Sequence, residues 1–132
     1  MDKETVALSE AEWKVMEELW KEAPATGREL TERLEKRCGW NRSTTLTLLR
    51  RMEAKGAVAA SQNGGVKTFS PLLRREEAAL RETESFLSRV YHGSLSMMVS
   101  TLSQKQALSQ KEIDELYALL KEAEVKRDGK DD

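Results

Sequence analysis

The sequence predicts a mainly α fold with one small β-hairpin, divided into a segment that ends just after the hairpin, residues 1–73, and a purely helical segment, residues 74–132. Three observations carry this reading. Two capping patterns, Ser9-Glu10-Ala11-Glu12 and Thr26-Gly27-Arg28-Glu29, each precede a run with helical apolar spacing; in such a box the hydroxyl and the acid three residues on satisfy backbone N–H groups that a helix start leaves open. Asn63-Gly64-Gly65 lies between two extended runs, a strong local hairpin signal because these residue types accept the positive φ of a tight turn. Beyond Pro71 the apolar residues return to helical spacing three more times.

Taken in order, the first helix is expected from about Glu10 to Lys21. Trp13, Met16, Leu19 and Trp20 form its packing side, and Glu10, Glu17 and Glu18 an acidic face that would sit away from phosphates. Pro24-Ala25 breaks it, and a second helix starts at the Thr26 box and buries Leu30 and Leu34. A short turn through Cys38 and Gly39 leads into Asn41–Lys55, NRSTTLTLLRRMEAK, the stretch around which the chain is organised. At about 100° per residue, Thr45, Leu48, Leu49 and Met52 fall within roughly a third of the helix circumference and make a narrow packing stripe. The opposite face carries Ser43, Thr47 and Arg50, flanked by Thr44 and Arg51, with no acid until Glu53. Two helices joined by a tight glycine-containing turn form a helix-turn-helix. Short hydroxyls let such a helix approach a DNA groove closely, and guanidinium groups fork onto guanine edges or phosphates. The plain alternative is a solvated face that happens to lack acids.

Gly56 fits the left-handed position that ends a helix. In the hairpin that follows, Val58 and Ala60 on one strand and Val66 and Phe69 on the other are expected to close over the helices, with Lys67 just past the tip. A hairpin directly behind a recognition helix is a wing, whose tip commonly reaches the sugar–phosphate backbone; otherwise the lysine only aids solubility. The candidate DNA-contacting set is therefore Arg42, Ser43, Thr44, Leu46, Thr47, Arg50, Arg51 and Lys67.

The second segment begins with a helix from Arg75 to Tyr91 carrying Leu80, Thr83, Phe86, Leu87, Val90 and Tyr91, ended by His92-Gly93. Ser94 can cap a second helix with Leu95, Met98, Val99 and Leu102, and the box Ser109–Glu112 a third with Ile113, Leu116, Leu119 and Leu120. Three helices of this size cannot bury such stripes among themselves, whereas two copies of the chain could. These residues are the candidate dimer interface, and Met97-Met98 reads as gap-filling core. Glu124 to Asp132 lacks apolar periodicity and reads as a frayed, disordered tail.

Composition excludes several function classes. A single cysteine, Cys38, rules out an internal disulfide framework and a multi-cysteine zinc site, and a single histidine, His92, leaves little for acid–base chemistry. With no nucleophile triad, phosphate-cradling loop or paired-histidine motif, the chain has no residues for an enzyme reading, and no metal or cofactor is expected. Neither Cys38 nor His92 is expected to be functional. No run of about 18 apolar residues occurs, and the start MDKETVALSE lacks a signal peptide's apolar core, so a cytoplasmic location without membrane insertion is expected. The formal net charge of −1 conceals a local excess: Arg28–Lys67 holds nine Lys and Arg against four Asp and Glu, whereas Leu73–Asp132 holds ten against twelve. Positive charge is concentrated around the central helix, as a polyanion partner requires.

The ordered series LSEAEWKVMEELWKEAPATGREL, STTLTLLRRMEAKGAV, TFSPL, FLSRVYHGSLSMMV and ALSQKEIDELYALL, from about Leu8 to Leu120, resembles the penicillinase repressor family, the BlaI/MecI-type winged-helix repressors. The resemblance implies an N-terminal winged helix-turn-helix followed by a C-terminal three-helix dimerisation domain. It also implies a homodimer on a twofold-symmetric double-stranded DNA operator, repressing antibiotic-resistance or stress-response genes. Half-sites of the TACA/TGTA type, with Thr44, Thr47 and Arg51 near the DNA, and relief of repression by a membrane sensor or protease system belong to the same expectation. Three departures stand out. The paired Cys-x-Cys motifs of copper-responsive members are absent. Thr101-Leu102 stands where the beta-lactamase repressors have a cleaved Asn-Phe bond. Leu46 occupies a position that is often basic in relatives; it could meet a thymine methyl but not a phosphate. The alternative from another class is a winged-helix protein-interaction module without specific DNA readout.

Overall fold

The computed structural model describes residues 7–130. The first six residues of the expected leaderless start, and the last two of the expected tail, lie outside the described residues. The elements run α1 (Glu10–Lys21), β1 (Ala25–Thr26), α2 (Gly27–Cys38), α3 (Arg42–Lys55), β2 (Val58–Asn63), β3 (Val66–Pro71), α4 (Arg75–Tyr91), α5 (Leu95–Gln104) and α6 (Gln110–Lys130). They form two compact units that divide between Thr83 and Glu84.

In the first unit both predicted boxes are present. Ser9 Oγ accepts from the Glu12 N–H at 3.1 Å while Glu12 Oε1 accepts from the Ser9 N–H at 2.8 Å, and Thr26 and Glu29 repeat the exchange at 3.0 and 2.9 Å. Gly39 and Gly56, at φ of 72° and 86°, end α2 and α3 in the left-handed conformation that costs a Cβ-bearing residue steric strain. Gly64 and Gly65, both at positive φ, make the two-residue turn between β2 and β3, the geometry whose twist matches antiparallel strands. The sheet has three strands in the order β1-β3-β2, all antiparallel, with Ala25 opposite Phe69 and Ala60 opposite Phe69 on the other side.

The core lies where α1, α2, α3 and the sheet converge: Val15, Met16, Leu19, Ala25, Leu30, Leu34, Leu48, Leu49, Met52, Ala57, Val58, Phe69 and Leu73. Trp20 packs on its margin and donates its indole N–H to the Leu73 carbonyl at 2.9 Å, fastening the chain after the hairpin to α1. Val66 does not close over the helices as expected; it is half exposed. Side chains alternate along a strand, so Val66, three residues from the inward Phe69, faces outward and Lys67 inward. Glu18, expected on the solvated acidic face, is buried and ion-paired.

In the second unit the expected caps also form: Ser94 Oγ accepts from the Met97 N–H at 3.1 Å and Ser109 Oγ from the Glu112 N–H at 3.2 Å. The frayed tail is corrected, because α6 runs on to Lys130. Glu, Ala, Lys and Arg there are good helix formers, and Lys126 pairs with Glu122 one turn earlier at 3.6 Å, a spacing that supports a helix. No described residue of this unit is buried. The interface candidates Phe86, Val90, Leu95, Leu102, Leu119 and Leu120 are exposed, Leu87, Met98, Val99, Ile113 and Leu116 half-buried, and α5 and α6 make only sparse contact with each other. Leu80 and Thr83, the candidates on the first-unit part of α4, are exposed as well.

Candidate nucleic-acid interface

The central helix α3 is held on one side and open on the other. Its stripe of Thr45, Leu48, Leu49 and Met52 is buried as the periodicity requires. Asn41 caps its start, the side-chain oxygen accepting from the Thr44 N–H at 2.9 Å. At Gly27, the first residue of α2, an added Cβ would lie 3.4 Å from Leu46 Cδ2 and 3.8 Å from the Phe69 ring, in ordinary contact with both, so the start of α2 lies directly beside α3 and the sheet.

Two charged clamps fix the helix-turn-helix to α1. Arg37, in the last turn of α2, donates to Glu17 at 2.6 Å and Glu18 at 3.0 Å; the hydrogen bond that Glu17 accepts holds its carboxyl below the usual range, and the bonds Arg37 donates to the two acids raise its own pKa. Lys55, in the last turn of α3, donates to Glu12 Oε1 and to the Ala7 carbonyl, both at 2.8 Å. Burial of Glu12 by itself raises its pKa, but the hydrogen bonds from Lys55 and Ser9 outweigh that and leave it lowered.

These clamps sort the positive charge. Of the nine cations between Arg28 and Lys67, Arg28 pairs with Glu32, Arg33 with Glu22 and Glu29, Arg37 with Glu17 and Glu18, Lys55 with Glu12 and Lys67 with Glu53. Those left without an ion pair among the described residues are Lys36 at the end of α2 and Arg42, Arg50 and Arg51 of α3. All three arginines are exposed on the face or flanks opposite the core, with Ser43 and Thr44 exposed and Thr47 half-buried among them. An unpaired guanidinium keeps its hydrogen-bonding fork for an external carboxylate, phosphate or base edge.

Two predicted contact residues sit differently from the rest. Leu46 is half-buried against the core and lines a cleft with Gly27, Arg50, Glu53, Lys67 and Phe69. Lys67 is not at the free tip of the wing. Its ammonium meets Glu53 at 3.3 Å and lies 5.4 Å from the centroid of the Phe69 ring. Glu53 is the residue that sequence reasoning passed over; its signal was being the only acid within α3. Among the described residues no helix is long and apolar enough to cross a membrane.

A family model described as "Penicillinase repressor" matches residues 8–122. The chain is 34% identical over 115 residues to a penicillinase repressor of Bacillus licheniformis, covering 87% of this chain and 90% of the relative. It is 28% identical over 120 residues to the methicillin resistance regulatory protein MecI of Mammaliicoccus sciuri, covering 91% and 98%. The solution structure of the Bacillus licheniformis BlaI monomeric form in complex with the blaP half-operator matches at 29% identity with a TM-score of 0.50, covering 55% of this chain and 88% of that one.

Proposed function

This chain belongs to the penicillinase repressor family and is a DNA-binding transcriptional repressor rather than an enzyme; from that premise we propose that it acts in the cytoplasm as a homodimer on a twofold-symmetric operator. Each protomer reads one half-site with α3, using Arg42, Ser43, Thr44, Thr47, Arg50 and Arg51, and Leu46 offers an apolar edge for a thymine methyl. The observation that carries this is the sorting of charge: most cations of the helix-turn-helix and wing are spent on carboxylates, while the arginines of α3 remain exposed and unpaired. A relative solved as a monomer on a half-operator supports one half-site per protomer.

The unpartnered stripes on α4, α5 and α6 supply the dimer contact in this reading. Residues 1–73 are the reading domain and 74–132 the dimerisation domain. The regulated genes belong to antibiotic resistance or a similar stress response, and a membrane sensor or protease system relieves repression. Loss of the dimer is the point at which such a signal acts, because separating two linked modules lowers their effective concentration on DNA.

The test is binding to genomic fragments captured from the host, whose shared motif defines the operator. Arg51→Ala should melt like the wild type and lose about 1 to 3 kcal/mol of operator binding. The loss is selective if the guanidinium forks onto a guanine and uniform across sequences if it meets phosphate. Unchanged operator affinity in both Arg51→Ala and Thr47→Ala would sink the assignment of α3 as the reading helix.

A further inference from the structure

Lys67 stands on the hairpin that the DNA-binding reading treats as a wing, yet its charge is directed back into the protein. Strand parity places it on the same side of β3 as the inward Phe69, over whose ring it lies. Its ammonium then meets Glu53, on the flank of α3 nearest the hairpin. Glu53 is the only acid of α3, and Arg50, one turn earlier, makes no ion pair with it. In a helix Glu53 and Arg50 are neighbours, so the carboxylate has a cation within reach on its own helix and is instead turned to the wing. An acid beside a DNA-facing surface opposes a phosphate backbone; here it also neutralises the one lysine of the hairpin.

We propose that Glu53 sets how strongly the protein attaches to DNA of any sequence: by holding Lys67 in the cleft between α3 and the hairpin, it withholds a cation from phosphate and lowers sequence-blind affinity and its salt dependence. The inference rests on the DNA-binding reading and adds to it. Binding to arbitrary duplex is set by how many phosphates a protein neutralises, whereas operator recognition also draws on base contacts made by α3. One cation fewer on phosphate weakens unrelated DNA and operator by the same electrostatic factor, so the Glu53–Lys67 pair sets the absolute affinity and its salt dependence and leaves the ratio between the two to the base contacts of α3. In this scheme the wing positions the protein by shape and by its backbone, and charge enters mainly through the arginines of α3.

The test measures affinity of the full-length protein for a duplex of unrelated sequence across a salt series, for wild type, Glu53→Gln, Glu53→Ala and each of these combined with Lys67→Met. Releasing Lys67 should tighten binding at low salt and steepen the slope of log affinity against log salt by about 0.9 for each protomer engaged, an extra loss of roughly 3.5-fold between 50 and 200 mM salt. Adding Lys67→Met should return the slope to that of the wild type. The proposal is overturned if both Glu53 variants keep the wild-type slope, or if the steeper slope persists when Lys67 is also removed, since Glu53 would then act only as a local negative field. A wild-type protein with no salt-dependent duplex binding would instead count against the DNA-binding reading itself.

Discussion

The two units solve the same problem, burying helical apolar stripes, in opposite ways. In the first, α1, α2 and α3 each turn a stripe inward and the three-stranded sheet closes the remaining side, so that Val15, Met16, Leu30, Leu34 and Met52 are wholly removed from solvent. In the second, helices with comparable stripes leave Leu95 53%, Leu119 60% and Leu120 61% exposed. Large apolar side chains left this open are what a proposed interaction surface would cover. The contrast teaches that a recognition helix has to be held rigid by its own chain, because its outward face must be presented in one orientation. In the proposed dimer, the stripes of the second unit are left open for a second copy of the chain.

The sharpest way to break the comparison is to charge the open stripe. Leu116→Asp combined with Leu120→Asp should give a protein that sediments as a monomer, keeps the first unit folded and loses roughly 10²- to 10⁴-fold in binding to a full operator, the gain that linking two modules provides. Weak, salt-sensitive attachment to any duplex should remain. A monomeric variant that bound the full operator as tightly as the wild type would end the dimer argument. Next in size is a cavity in the closed core: Leu49→Ala should cost about 2 to 5 kcal/mol of unfolding free energy, read by denaturant titration. Leu119→Ala, truncating an exposed side chain, should cost far less in the monomeric background.

Much of this division is legible in the sequence because it rests on local chemistry. The capping serines and threonine, the Asn63-Gly64-Gly65 turn and the four-residue stripe of α3 each declare themselves within a few residues. What was hidden depends on tertiary pairing. β1 is two residues long and exists only because Ala25 and Thr26 find Phe69 and Thr68 across the sheet. Val66 is apolar, which by itself points inward, but strand register gives that side to Lys67 and Phe69. Glu17 and Glu18 looked like a solvated acidic face until Arg37, 19 residues beyond Glu18, came to meet them. The same holds for Lys67: a lysine near a turn looks free until the partner on another element is known. The tail differs for another reason: α6 beyond Glu124 is sustained by helix propensity and needs no apolar period.

Smaller effects sharpen the description of how the first unit is held. The folded-state pKa of Glu12 lies below its ordinary 4.5, so its contribution to stability is complete above that value and is lost as pH falls through the depressed one. Melting temperature should drop over that acidic window in the wild type and drop less in Glu12→Gln, which starts lower at neutral pH; parallel acid profiles would show that the clamp contributes nothing. Smallest is Thr45→Val. The Thr45 hydroxyl is buried with no hydrogen-bond partner among the described residues, and leaving such a group unsatisfied costs about 1 to 3 kcal/mol. The near-isosteric valine, whose helix propensity is about that of threonine, should stabilise the protein by up to about 1 kcal/mol without moving the exposed face of α3. A loss of stability would mean that the hydroxyl is satisfied in solution.

The difference between the units is tested most directly by amide hydrogen exchange of the full-length chain, followed across a dilution series that spans the monomer–dimer transition. Amides in α1, α2, α3 and the sheet should keep strong protection at every concentration, because their core is complete within one chain. Those in α5, α6 and the latter half of α4 should gain protection as concentration rises, because only the dimer state binds them into a folded core. Protection of these helices that was already full where the protein sediments as a monomer would contradict the account.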